Sequence, residues 1–192
     1  MKSLYNSATA NNLIEAFRTK AYDQQKYSNY AAVALEQGYI EISNFFEQLA
    51  QAVNEHSRLM GQFLLCSGYE PSAIATGELK PIFTGDTKTN LSKSLEYQQN
   101  NIINTYPKYM KKAYDEKYLE VAVLLGKIMR ADDYFLNEIE HFLEMLKKDT
   151  YYTKDTPHKW VCSRCGYTYV GNTPPKYCPL CSKEQQYYKI TQ

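Results

Sequence analysis

Four cysteines in the last part of the chain have the spacing of a metal site. Cys162 and Cys165 form one Cys-x-x-Cys pair, and Cys178 and Cys181 form a second pair twelve residues further on. Two such pairs place four thiolates around one ion, and each short loop directs backbone amides at the sulfurs. Because four soft ligands in a tetrahedron suit iron or zinc, the sequence predicts one tetrathiolate metal site. The fifth cysteine, Cys66, ends an apolar helical stretch, and we expect it to be a buried thiol.

The overall composition excludes several classes of function. The chain of 192 residues has 22 Lys and Arg against 21 Asp and Glu, so it has no basic field for a nucleic acid. No apolar run approaches the roughly 18 residues that suggest a membrane span. Residues 1–12 lack the apolar core of a signal peptide, so we expect a cytoplasmic protein. In that compartment, clustered cysteines are better explained as metal ligands than as disulfides.

The elements that position these residues are mainly helices. Polar and apolar residues alternate with helical periodicity and predict four helices, at 9–37, 40–66, 88–114 and 116–147. Gly38 marks a short turn after the first helix, which predicts that the first two helices are antiparallel. The long connection at 67–87, rich in Gly and Pro, predicts a crossover that lets the second and third helices run parallel.

The C-terminal segment has a different composition. Residues 148–158 are polar, aromatic and without periodicity, and we interpret them as a linker. The remaining residues, 159–192, are too few to bury a core of their own, so a bound metal must hold them together.

The motifs of this segment resemble a rubredoxin. The first cysteine pair is followed by Gly-Tyr, the second contains Pro179, and aromatic residues accompany both: Trp160, Tyr167, Tyr169 and Tyr177. This resemblance implies one iron that cycles between the ferrous and ferric states. Zinc in the same four-cysteine site is the alternative, and it would have no redox role.

A helical bundle followed by such a tail resembles the rubrerythrin family over nearly the whole chain. The match in the bundle is carried by short pairs of residues: Ala16-Phe17, Gly38-Tyr39, Glu55-His56 and Tyr106-Pro107. The resemblance implies an all-α, ferritin-like four-helix bundle at 1–147 and a small β-rich, rubredoxin-like iron domain at 159–192. It also implies a homodimer in defence against oxidative stress, whose bundle holds a carboxylate-bridged di-iron centre that reduces hydrogen peroxide.

The ligands of that di-iron centre are largely missing from this chain. The family's ligand positions fall on Lys20, Val53, His56, Gln98, Asn101, Asp132 and Phe135. A pair of irons needs roughly four carboxylates and two imidazoles, whereas only His56 and Asp132 remain as ligands. Since the Lys20 ammonium would also repel the metals, we expect a bundle without a di-iron centre and assign no catalytic residue.

A hydrogen-bonded cluster is our hypothesis for what replaces the metals. Lys20 pairs with Asp132 in this hypothesis, and four side chains satisfy the remaining donors and acceptors: Gln24, His56, Gln98 and Asn101. The alternative is that Lys20 extends out of the bundle to solvent. A second Glu-x-x-His, from Glu138 to His141, lies about 90° to 150° from the inward stripe of its helix and is expected to face outward.

Three functions follow from these expectations. The first is one-electron transfer through the tail iron, with a redox partner such as a rubredoxin reductase or an intact rubrerythrin. The second is peroxide reduction at an atypical metal site that uses His56 and Asp132 with an outer carboxylate, Glu55 or Asp133. The third is a helical interaction or regulatory protein that bears a zinc ribbon.

Overall fold

The computed structural model describes residues 4–75 and 81–191; part of the predicted crossover, residues 76–80, lies outside the described residues. The helices are α1 Ala8–Glu36, α2 Ile40–Cys66, α3 Pro71–Ala75, α4 Thr87–Asn100, α5 Tyr106–Asp115 and α6 Leu119–Lys147. The strands are β1 His158–Cys162, β2 Thr168–Gly171 and β3 Tyr188–Ile190, and they form one antiparallel sheet in the order β2-β1-β3. The predicted fold class is therefore confirmed. Within the described residues, no helix is long and apolar enough to cross a membrane.

The third predicted helix is not continuous. A π-helical turn, Asn101–Thr105, separates α4 from α5. Pro107 lies in the first turn of α5 and has no backbone N–H, and its ring would clash with the carbonyl four residues earlier in a regular helix. A widened turn just before the proline accommodates that ring and lets the helix continue. The short helix α3, inside the crossover, was also not predicted.

The bundle has two apolar clusters with a polar layer between them. The cluster near the α1–α2 turn contains Tyr27, Phe46 and Ile139 among other buried side chains. The cluster at the opposite end contains Leu13 and Met60 among others. Between them lie buried polar side chains of α1, α2, α4, α6 and the π turn: Lys20, Asp23, His56, Gln98, Asn101 and Asp132.

The C-terminal sheet docks on the α1–α2 turn of the same chain. The Tyr152 hydroxyl donates to the Gly38 carbonyl at 3.1 Å, and the Ile190 amide donates to Glu41 Oε1 at 3.3 Å. Tyr151, in the segment interpreted as a linker, is buried and packs edge-on against Tyr39, with 5.2 Å between the ring centroids. The connection between bundle and tail is thus packed against the bundle.

Gly38 combines two constraints, so we expect Gly38→Ala to destabilise the protein. Its φ of +83° is a left-handed conformation that costs a residue with a Cβ roughly 1–2 kcal/mol. A Cβ would also overlap the side chain of Gln186 in the tail. Gly68→Ala is a matched control, because Gly68 has a φ of +89° but open space at the Cβ position.

Chemical denaturation measures the free energy of unfolding of both glycine variants, and limited proteolysis reports on the docking of the tail. We expect both variants to lose stability, and only Gly38→Ala to make the tail more sensitive to protease. An equal loss in both variants with an equally resistant tail would show that the Gly38–Gln186 contact has no role.

Candidate metal centre

The structure brings the four predicted cysteines together. Their Sγ atoms all lie within 4.8 Å of one another, with 3.7 Å between Cys162 and Cys181 and 3.6 Å between Cys165 and Cys178. Metal–sulfur bonds of 2.3 Å in a tetrahedron place the sulfurs about 3.8 Å apart, so the site fits a single Fe or Zn ion. Within residues 4–75 and 81–191, no other group of three or more His, Cys, Asp or Glu side chains is arranged to hold a metal ion.

The two cysteine pairs sit on turns of the same kind. The Gly166 amide donates to the Cys162 carbonyl at 2.8 Å, and the Ser182 amide donates to the Cys178 carbonyl at 2.9 Å. Gly166 and Ser182, which follow the second cysteine of each pair, both have positive φ, +76° and +57°. The tight turns hold the two sulfurs of each pair on one side of the backbone, where amides stabilise their charge.

The thiols already differ in their acidity before a metal binds. Burial raises the pKa of Cys178, but the neighbouring Tyr188 hydroxyl and the backbone amides of Leu180 and Cys181 lower it to about 6. The Tyr167 amide lowers the pKa of Cys165, but burial and the neighbouring thiols raise it to about 12. Cys165 therefore retains its proton at neutral pH, and a bound cation must displace it, so metal affinity rises with pH.

In the bundle, the predicted pair of Lys20 and Asp132 is present. Lys20 Nζ lies 2.6 Å from Asp132 Oδ2, and the two side chains are 2% and 0% exposed. The Tyr106 hydroxyl donates to the same carboxylate oxygen at 2.8 Å. His56 Nδ1 lies 3.6 Å from the other oxygen, Oδ1. The alternative in which Lys20 extends to solvent is wrong.

The prediction for the remaining members of the cluster is only partly correct. Gln98 and Asn101 are buried, and Gln98 Nε2 lies 3.5 Å from the Tyr27 hydroxyl. Gln24 is exposed, however, and Asp23 takes the buried position. Helical periodicity allows the next inward position to lie three or four residues after Lys20, and in this protein it lies three residues on, at Asp23.

Asp23 carries a second ion pair of the polar layer. Its carboxylate binds Lys26 Nζ at 2.5 Å and accepts from the Tyr97 hydroxyl at 2.8 Å. Lys26 also lies over the Tyr97 ring, 4.0 Å from its centroid. The signal in the sequence is the spacing of Asp23 and Lys26, which lie three residues apart on one helix.

Other predicted residues have simpler surroundings. Val53 is buried among apolar side chains, and Phe135 is half-buried beside Phe45. His141 is exposed, as expected for an outward face. Cys66 is exposed, so its predicted burial is wrong. The buried face of α2 ends with Leu64, and two residues later Cys66 points to the opposite side of the helix.

As a donor set for two irons, the residues of the polar layer do not fit. Of the two carboxylates in this layer, Asp132 already accepts from an ammonium and a phenol, and Asp23 binds Lys26 and accepts from Tyr97. Two irons need anionic oxygen around and between them, and an ammonium 2.6 Å from the Asp132 carboxylate occupies that space.

His56 gives the polar layer a testable pH dependence. Burial lowers the pKa of His56; Asp132 raises it and Lys20 lowers it, with a smaller effect from Glu55. Below about pH 6.5 the unfolded chain binds a proton at His56 that the folded protein does not yet bind. The free energy of unfolding therefore falls by up to about 1.4 kcal/mol per pH unit. This loss ends once the pH is below the lowered pKa.

We expect His56→Gln to reduce the fall in stability between pH 7 and pH 5. Urea unfolding at several pH values measures it, with His141→Gln on the exposed face as the control. If His56→Gln keeps the wild-type slope, His56 is not the group that titrates.

A four-helix bundle of the ferritin type joined to a four-cysteine sheet domain defines the class of this protein. The family model described as "Rubrerythrin" matches residues 11–148, and the model described as "Rubrerythrin, rubredoxin-like domain" matches residues 160–189. The chain belongs to the rubrerythrin family.

Similar proteins cover nearly its whole length. Rubrerythrin-1 of Clostridium acetobutylicum is 31% identical, over 99% of this chain and 97% of the relative. A rubrerythrin of Nitratidesulfovibrio vulgaris is 26% identical over the same shares of the two chains. A solved structure of nigerythrin in a partially reduced state has the same fold, with a TM-score of 0.64 at 21% identity, covering 98% of this chain and 91% of that one.

Proposed function

We propose that this protein transfers electrons one at a time through a single iron held by Cys162, Cys165, Cys178 and Cys181. The observation that carries the proposal is the tetrahedral spacing of the four sulfurs. An iron bound by four thiolates supplies a one-electron couple. The match of residues 160–189 to a rubredoxin-like family model supports iron over zinc.

The residues around the cysteines suit such a site. Cys162 and Cys178 are buried, whereas Cys165 and Cys181 are half-buried and lie nearer to the surface. Leu180, inside the second cysteine pair, is 66% exposed. An exposed apolar side chain beside the ligands offers a contact for a redox partner, and electrons can pass over that short distance.

We further propose that the bundle holds no di-iron centre and has lost peroxidase activity. The buried ion pair of Lys20 and Asp132 supports this proposal, because an ammonium stands where bridging carboxylates are needed. The electron acceptor is then another protein, and an intact rubrerythrin is a candidate. A rubredoxin reductase is a candidate electron donor.

Titration of the iron-loaded protein tests the function. We expect one electron equivalent per chain to bleach the visible bands, and air to restore them. Hydrogen peroxide should be consumed no faster than by a Cys162→Ser/Cys178→Ser variant that lacks the tail metal. Catalytic peroxide consumption that needs the tail cysteines would contradict the loss of peroxidase activity and support an atypical site at His56 and Asp132.

A homodimer is part of the proposal, on the ground of family resemblance. Light scattering after size-exclusion chromatography measures the mass against 22.3 kDa per chain. A mass of twice that value is expected, and a monomer would contradict it.

A further inference from the structure

Tyr188 lies directly behind the four-cysteine site. It begins β3, and its Cα is paired with that of Cys162 on β1. The side chain is 2% exposed and packs in a buried cluster with Trp160, Cys162 and Cys178. Its neighbour in the chain, Tyr187, is only half-buried, so the two tyrosines have different surroundings.

The Tyr188 hydroxyl is buried in a position without ordinary acceptors. Among the described residues, no group forms a hydrogen bond with it. The sulfurs of Cys162 and Cys178 belong to the same buried cluster, and the nearby hydroxyl lowers the pKa of Cys178. Burying an unsatisfied hydroxyl costs about 1–3 kcal/mol, so its placement against a sulfur needs an explanation.

We propose that, once iron is bound, the unpartnered Tyr188 hydroxyl donates a hydrogen bond to Cys178 Sγ and thereby raises the reduction potential of the iron; this inference rests on the proposed electron-transfer site. Tyr188 is a positioning residue in this role, since it acts through a ligand. A reduced redox protein supplies one electron, no bond of the chain forms or breaks, and the hydroxyl keeps its proton. The added electron makes the sulfurs more negative, which strengthens a hydrogen bond to them.

The direction of the change in reduction potential follows from the more negative charge on the sulfurs in the reduced state. A donor that binds the more negative, reduced state more strongly stabilises it relative to the oxidised state. Loss of the hydroxyl should therefore lower the potential and make the site harder to reduce. Packing alone would not produce this shift, because a phenylalanine fills nearly the same volume.

Spectroelectrochemistry of the full-length, iron-reconstituted protein tests the proposal. We expect Tyr188→Phe to have a lower midpoint potential than the wild type, with the visible bands of a four-thiolate iron retained. Tyr187→Phe is the matched control, and its potential should equal that of the wild type. An unchanged potential in Tyr188→Phe, or an equal decrease in both variants, would overturn the proposal.

A second replacement keeps the test decisive if Tyr188→Phe does not take up iron. Site-specific 3-fluorotyrosine at position 188 keeps the ring and hydroxyl but makes the hydroxyl a stronger donor. We expect a higher midpoint potential, and an unchanged or lower potential would overturn the proposal. Since every arm uses reconstituted iron, a purified protein that carries zinc would contradict the proposed function without affecting this result.

Discussion

Lys20→Met should lower the free energy of unfolding by about 3–5 kcal/mol, the usual effect of removing one partner of a buried ion pair. Asp132 is fully buried, and its carboxylate would keep only the Tyr106 hydroxyl and, at 3.6 Å, His56 Nδ1. Neither group carries the positive charge that offsets burial of the carboxylate. Urea or guanidinium unfolding of the metal-loaded protein measures the loss.

The double variant Lys20→Met/Asp132→Leu separates pairing from packing. Apolar residues of similar size can replace a buried ion pair with little loss, so most of the stability should return. The Tyr106 hydroxyl loses its acceptor in this variant, which leaves a residual loss of about 1–3 kcal/mol. Lys111→Met is the control, because Lys111 pairs with Asp115 on the surface and exposed pairs contribute about 1 kcal/mol or less. Equally large losses in the single and double variants would contradict the pairing of Lys20 with Asp132.

Removal of the tail metal should unfold the C-terminal sheet and leave the helices folded. Cys162→Ser/Cys178→Ser takes away one ligand of each pair, and structural four-ligand sites contribute apparent binding energies of about 10–16 kcal/mol at pH 7. The sheet has little other support, since its buried cluster consists of Trp160, Tyr188 and two of the cysteines. Metal analysis measures the loss of the ion, limited proteolysis measures the unfolding of the sheet, and far-UV circular dichroism measures the helices that remain.

Cys66→Ser is the control for the cysteine variants. Its thiol is exposed at the end of α2, far in sequence from the metal site, so this variant should keep its metal and a resistant tail. In the metal-loaded wild type, an alkylating reagent should add one label quickly and should add five after chelation. A double variant whose tail still resists protease would show that docking on the bundle, and not the metal, holds the sheet.

Much of the fold follows from the sequence, since hydrophobic periodicity and breakers are local signals. The end of α2 at Cys66 agrees with prediction because the apolar stripe of the helix stops there. The turn at Gly38 agrees because a glycine readily adopts a positive φ. The π turn before Pro107 was missed, because a shift of backbone hydrogen bonds leaves no trace in side-chain periodicity.

The site was predictable to the extent that spacing determines geometry. Two Cys-x-x-Cys pairs bring their sulfurs together in any compact turn, and Lys20 and Asp132 are the charges on two inward stripes. The choice between Asp23 and Gln24 depends on where Tyr97 lies across the bundle, which is a tertiary contact. The contact of Tyr188 with Cys178 likewise depends on how β3 pairs with β1.

The polar layer keeps its buried charges in pairs at the centre of the bundle. Two ion pairs, Lys20 with Asp132 and Lys26 with Asp23, lie between two apolar clusters. Charges that are paired and hydrogen-bonded can remain buried, whereas isolated ones cannot. The family fold is therefore compatible with electron transfer confined to the tail.

Metal analysis of freshly purified protein, together with its visible absorption spectrum, tests the central claim most directly. We predict one iron per chain with the strong visible bands of a four-thiolate ferric site. Three irons per chain would contradict the proposal that the bundle lacks a di-iron centre. One zinc per chain and a colourless protein would contradict the proposed electron transfer.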